Sequence, residues 1–198
     1  MKTNNDTTPL NKVRLKDREV TDEAWIKDFL YRSQYGVMGT SDSDQPFLHS
    51  RLYVYDEVTK AIYLHGALQG RTPSNIRAND RVCFTVSEMG RLLPADEACE
   101  FSVEYASVVV FGHAQILSEK DDMIYGLQLL MDKYFPDHHP GVHYPSLDSK
   151  QISGTAVYRI TIESWSAKQK QAPPDSPGAF FYNRHLNRYR DKSADLHD

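Results

Sequence analysis

Cysteine is nearly absent. The 198 residues hold two, Cys83 and Cys99, too few for a disulfide framework and without the spacing of a metal site. Long apolar runs are missing as well: the longest, Ala106 to Phe111, falls far short of the ~20 residues needed to cross a bilayer. Met1 to Asn11 is polar and lacks the apolar core of a secretory signal. Together these absences predict a cytoplasmic protein with reduced thiols and no membrane partner. Nor does positive charge dominate. Lys+Arg 23 against Asp+Glu 27 gives a formal net charge of −4, which argues against nucleic acid as a partner.

What is present reads as an ordinary folded domain, 40% hydrophobic and 25% charged. The aromatic share is 11%, led by 12 Tyr, a bias that favours strands. A short helix is expected after Thr21, which can cap its first turn, with Asp22 and Glu23 at the positive end of the dipole. Trp25, Ile26, Phe29 and Leu30 share one face of it.

The period then changes to two. Strands are predicted over Tyr35–Thr40, Pro46–Tyr55 and Ala61–His65, separated by turn-forming clusters, which gives an antiparallel meander. Further strands are predicted over Arg81–Glu88, Val103–Leu117 and Gly154–Glu163. Between them, Thr72 is placed to cap a brief helix, Pro73–Ala78. Ser118 with Asp121 reads as a capping box opening a helix that ends near Tyr134. About six antiparallel strands with helices to one side make the fold class mainly β, a barrel with flanking helices.

The stretch richest in chemistry is His65-Gly66-Ala67-Leu68-Gln69-Gly70-Arg71-Thr72. A strand end running into a helix start offers free amides and a positive dipole end to an anion. The glycines allow close backbone approach, and Arg71 supplies a planar fork suited to phosphate. On the strand before it, His49 and Arg51 share a face with Phe47, Tyr53 and Tyr55, an unusual set for plain core. A cluster at Asp137, His138, His139 and His143 reads as a solvated loop, and no metal is assigned to it.

Two stretches resemble one family. His65-Gly66-x-x-x-Gly70-Arg71 followed by Asn75-Ile76-Arg77 and the strand Arg81–Val86 looks like the pyridoxamine 5′-phosphate oxidase-like FMN-binding split barrel. Tyr105-Ala106-Ser107-Val108-Val109-Val110-Phe111-Gly112 resembles the second signature of its nitroimidazole-resistance (Nim) branch. The resemblance implies a homodimer with FMN held at the subunit interface and a small-molecule substrate. By position it implies that Arg71 and Thr72 hold the FMN phosphate. Ser50, Arg51 and Leu52 would run along the isoalloxazine ring, Leu64, His65 and Gly66 would face ribityl and ring, and Ser107 would lie near the phosphate. His65 becomes the candidate catalytic residue, able to move a proton beside a flavin at neutral pH.

The implied activity is that of a flavin oxidoreductase passing electrons from reduced FMN to a small organic acceptor, a nitroaromatic among the options. The alternative is a flavin or haem carrier on the same barrel without turnover, with His65 or His113 as an axial ligand. The chain then divides into a flexible arm over residues 1–12, the barrel domain over 13–170, and a tail over 171–198. The tail carries Phe180-Phe181-Tyr182, apolar enough to dock on a partner subunit, and then a basic patch at Arg184, His185, Arg188 and Arg190.

Overall fold

The period-two runs become strands of one antiparallel sheet. The computed structural model describes residues 9–148, 150 and 152–182; residues 1–8 of the expected 1–12 arm and the basic patch of the tail lie outside them. In chain order the elements are β1 (Glu19–Val20), α1 (Glu23–Arg32), β2 (Gly36–Asp42), β3 (Gln45–Arg51), β4 (Tyr53–Asp56) and β5 (Ala61–Ala67). They continue with α2 (Arg71–Ala78), β6 (Arg81–Leu93), β7 (Ser102–Ile116), α3 (Lys120–Tyr134), β8 (Thr155–Lys170) and β9 (Phe180–Phe181). The strand order is β3-β2-β6-β7-β8-β5-β4, with β1 added on β8 and β9 on β6.

That order explains the shape. β3 and β4 lie at opposite edges of the sheet, yet only Leu52 separates them in sequence. Successive Cα atoms are 3.8 Å apart, so the two edges must approach within about 7 Å at this point. The sheet therefore curls into a barrel closed by a covalent step rather than by a hydrogen-bonded ladder. It is a split barrel. The single strand expected over Pro46–Tyr55 is thus two, β3 paired with β2 and β4 paired with β5. Tyr134 on α3 supports the step: its hydroxyl accepts from Tyr53 N (3.0 Å) and lies 2.6 Å from Gln34 O and 2.9 Å from Tyr53 O.

Alternation fills the barrel. Val82, Phe84 and Val86 of β6, Val108 and Val110 of β7, and Tyr158 and Ile160 of β8 point inward with Met38 and Leu64 into one buried cluster. Each such large side chain contributes about 1.5–3 kcal/mol by leaving water. β4 and the first half of β5 are buried on both faces. The reason is α3, whose Leu130 packs with Val54, Ala61, Tyr63 and Val157 in a second cluster outside the barrel.

The helix starts differ from expectation in their caps. α1 is capped by Asp22, whose carboxylate accepts from Ala24 N (2.9 Å), and not by Thr21. The capping box expected at Ser118 does not form: Glu119 is the cap residue of α3, and Ser118 Oγ turns to Glu119 Oε1 (3.3 Å). α2 begins two residues early, at Arg71, with Gly70 in the cap position.

Two strands outrun their sequence signal. β6 reaches Leu93 and β8 reaches Lys170, because they pair with the long β7 and not because they alternate cleanly. On the extended part Arg91 and Glu104 form a largely buried ion pair (2.7 Å) that binds the tail. Arg91 donates to the carbonyls of Ala172, Pro173 and Pro174, while Glu104 accepts from Ala172 N. Phe180 and Phe181 then add to the edge of β6 within the same chain.

Candidate functional site

The barrel's covalent step and the start of α2 bring four elements to one place. β3 supplies His49 and Arg51, the end of β5 supplies His65 and Gly66, α2 supplies Arg71 and Thr72, and β8 supplies Tyr158. Arg51 joins them. Its Nη1 donates to His65 O (2.8 Å), and its Nη2 donates to Thr72 Oγ1 (2.9 Å) and to His49 Nδ1 (3.0 Å). The guanidinium lies over the Tyr158 ring, 5.4 Å from its centre, an attraction strengthened by partial desolvation. Tyr158 is fixed in turn by its hydroxyl on Ala67 O (3.1 Å).

Both glycines of the junction are required by geometry. A Cβ at Gly66 would run into Arg51 Nη1, so only glycine lets the guanidinium cross the β5 backbone. Gly70 has φ 122° and ψ −176°, a conformation essentially reserved for glycine. It turns the chain from β5 into α2 without any side-chain cap. The first helical hydrogen bond here runs from Ser74 N to Gly70 O (3.2 Å), which leaves the amides of Arg71 and Thr72 ahead of the ladder. α2 is anchored below by buried Asn75, which donates to Thr40 Oγ1 on β2 (2.9 Å).

The electrostatics favour an anion. No acidic residue occupies the first turn of α2, and the exposed Arg71 guanidinium rests over Phe47, 5.6 Å from its ring centre, with no carboxylate partner among the described residues. Arg51 Nε is buried and has no acceptor among the described residues. Unmet donors, a helix start and two guanidiniums form a site built for negative charge. These residues fit the phosphate of a flavin mononucleotide.

The histidines are tuned by the same groups. Burial first, and the Arg51 guanidinium second, push both His49 and His65 below the usual imidazole value. Both are therefore neutral at pH 7, and no hydrogen bond to the His65 ring is found among the described residues. His113 is the opposite case. Its Nδ1 faces Asp80 (3.0 Å) and its Nε2 faces Glu163 (3.1 Å), and these carboxylates, Asp80 foremost, raise it above the usual value.

The residues singled out in the sequence divide accordingly. Arg51, His65, Gly66 and Thr72 come together, and Arg71 stands beside them at the same helix start. Ser50 lies on the exposed outer strand opposite Val37, and Leu52 is the exposed step between β3 and β4. The Leu64 side chain is fully buried in the core, so only its backbone can face a ligand. Ser107 sits in mid-sheet between Ser87 and Lys168 and takes no part in the Arg51 hydrogen bonds. Tyr158 escaped the sequence reading as a site residue, and Asn75 entered it only within the family signature, with no role. Tyr158 alternates as an ordinary inward residue of β8, and a lone Asn in a short helix carries no signal of its partner.

The sequence profile described as pyridoxamine 5′-phosphate oxidase matches residues 22–169. No curated protein matches the chain. Among solved structures, a candidate 5-nitroimidazole antibiotic resistance protein from Bacteroides thetaiotaomicron aligns with TM-score 0.64 at 16% identity, covering 76% of this chain and 86% of that one. The flavocytochrome Anf3 from Azotobacter vinelandii aligns with TM-score 0.69 at 23% identity, covering 82% and 74%. An FAD and haem binding protein from Mycobacterium smegmatis aligns with TM-score 0.70 at 17% identity, covering 80% and 76%. At these identities the structures speak for the fold, a split barrel found in flavin-binding proteins. Taken with the profile, which spans most of the sequence, they show that the chain belongs to the pyridoxamine 5′-phosphate oxidase family.

Proposed function

We propose that this protein binds FMN in the Arg51–Thr72 cluster and works as a flavin-dependent oxidoreductase on a small organic acceptor. The observation that carries the reading is the α2 start: an uncapped positive end flanked by Arg71 and Arg51, with Arg51 Nε buried and unmatched. In this reading Arg71 and the amides of Arg71 and Thr72 hold the phosphate. The backbone of Ser50, Arg51 and Leu52 and that of Leu64, His65 and Gly66 line the ring and ribityl chain, as the family resemblance implies.

Bound flavin would supply the electron transfer; the chain's own residues set its surroundings. Arg51 fixes the edge strand against α2 and keeps the His65 carbonyl in place. His65 presents a neutral imidazole with a free ring nitrogen, suited to hold or deliver one proton to a substrate at neutral pH. Exposed Leu48 and Leu52 on either side of Arg51 support closure of the groove by a second copy of the chain, as in the proposed homodimer, and Ser107 joins the phosphate site only in that assembly. A nitroaromatic is a suitable acceptor class, since the Nim-like fold is shared.

The carrier alternative loses ground at His113. Both of its ring nitrogens already face carboxylates, so of the two histidines considered as axial ligands only His65 is left to the carrier reading. The visible absorption of the purified protein, before and after adding FMN, decides the reading. Flavin bands that remain through gel filtration support it. A protein that stays colourless after FMN is added, or that shows a Soret band on haem titration while retaining no flavin, overturns it.

A further inference from the structure

His49 stands in an unusual bond. Its Nδ1 lies 3.0 Å from Arg51 Nη2 and 3.5 Å from Thr72 Oγ1. A guanidinium can only donate, so Nδ1 must be the lone-pair nitrogen and the imidazole is neutral, with its proton on Nε2. The other Nη2 hydrogen goes to Thr72 Oγ1. His49 is thus an acceptor on its inner side and a donor on its exposed side, in the wall of a site that gathers negative charge.

The groups around it are all cationic or neutral. Arg51 shares its strand, Arg71 stands behind Phe47, whose ring meets His49 edge-on at 6.1 Å, and His65 follows on β5 through its carbonyl bond to Arg51. β2 presents uncharged Met38 opposite it, and β8 presents Tyr158 beneath Arg51. No carboxylate pairs with His49, Arg51 or Arg71 among the described residues. Without a ligand, a proton on His49 would face Arg51 unopposed. A phosphate dianion at the α2 start reverses that balance, because it is the first negative charge to enter the cluster.

We propose that His49 is the proton-coupled phosphate sensor of this site: arrival of the flavin phosphate breaks the Arg51–His49 bond, and His49 takes up one proton to become a third cationic donor to the phosphate. The step is a protonation only, solvent H+ adding to the Nδ1 lone pair, with no bond to the ligand made or broken. It rests on the flavin reading above and adds a residue and a proton that the reading alone does not require. It also predicts selectivity for a phosphorylated flavin carrying two negative charges, which a phosphate monoester largely does above its second pKa of about 6.

The test is calorimetric titration of the full-length protein with FMN in buffers of different ionisation enthalpy, between pH 6.5 and 8. Wild type is expected to take up more than half a proton near pH 7, with log Ka falling by up to one for each pH unit, as linkage demands. His49→Gln, which keeps an acceptor and a donor but cannot titrate, is expected to bind FMN with uptake near zero and a flat pH profile. His65→Gln should leave the uptake in place. Nitrogen shifts of His49 provide the second readout: the Nε2–H tautomer in the free protein and an imidazolium with FMN bound. FMN binding with no uptake, or uptake that survives His49→Gln, overturns the sensor and leaves the flavin reading standing. Failure of wild type to bind FMN at all overturns both.

Discussion

Arg51 Nη2 donates to Thr72 Oγ1 at 2.9 Å, and this bond ties an edge strand of the barrel to the first turn of α2. Thr72 is buried while Arg71 beside it is exposed. The two residues at the helix start therefore do different work: Thr72 holds Arg51 in position, and Arg71 is left free for a ligand.

Gly66 controls whether that bond can exist. In Gly66→Ala the new methyl displaces the far end of the Arg51 side chain, which is flexible, and not backbone. Stability should change by less than about 1 kcal/mol, while FMN affinity falls at least tenfold. Denaturant unfolding and a flavin titration on the same sample check both halves. Loss of the fold with affinity intact among surviving molecules is the opposite pattern.

Arg71→Ala removes an exposed guanidinium that lies over Phe47. FMN binding should weaken by about 1.5–3 kcal/mol, the usual value of a hydrogen bond to a charged group. Unchanged affinity in a fluorescence titration would count against the phosphate assignment.

Tyr134 tests the explanation of the split. Its hydroxyl serves Tyr53 N, Tyr53 O and Gln34 O beside the Leu52 step. Tyr134→Phe removes the acceptor of Tyr53 N and the single hydroxyl donor shared by Gln34 O and Tyr53 O, and stability should fall by about 1–3 kcal/mol. Chemical denaturation gives the value, and a neutral result would mean that the step needs no such support.

His113 predicts a pH dependence with a definite sign. Asp80 and Glu163 raise it above the usual imidazole value, so its stabilising effect is present below about pH 6.5, the unfolded value. That effect is lost as pH rises through the folded value. The melting-temperature gap between wild type and His113→Gln should therefore shrink between pH 6 and pH 8. A gap that widens over that range contradicts the assignment.

Much of this fold was legible in the sequence because burial leaves a period. The period-two runs Arg81–Glu88 and Val103–Leu117 and the helix expected to end near Tyr134 located the main elements. The break at Leu52 left no mark, because no turn-forming cluster interrupts Pro46–Tyr55 and only the sheet order separates β3 from β4. The far halves of β6 and β8 were equally silent, since their partner β7 and the tail hold them, not their own pattern.

The site was half legible. The glycines and Arg71 stood out because a strand-to-helix junction needs particular residue types at fixed spacing. That Arg51 would reach across Gly66 to Thr72 could not be read, because this contact links β3, β5 and α2 through space. His49 drew notice for its company on one strand face. Its tautomer follows only from the 3.0 Å contact with Arg51.

A phosphate cradle at the start of α2 must distinguish FMN from riboflavin, which lacks the phosphate, and the affinity of the ligand-free protein for each flavin measures that distinction. FMN is expected to bind at least tenfold more tightly, and Arg71→Ala to remove most of the difference. Equal affinity for the two flavins, or binding of neither, contradicts it.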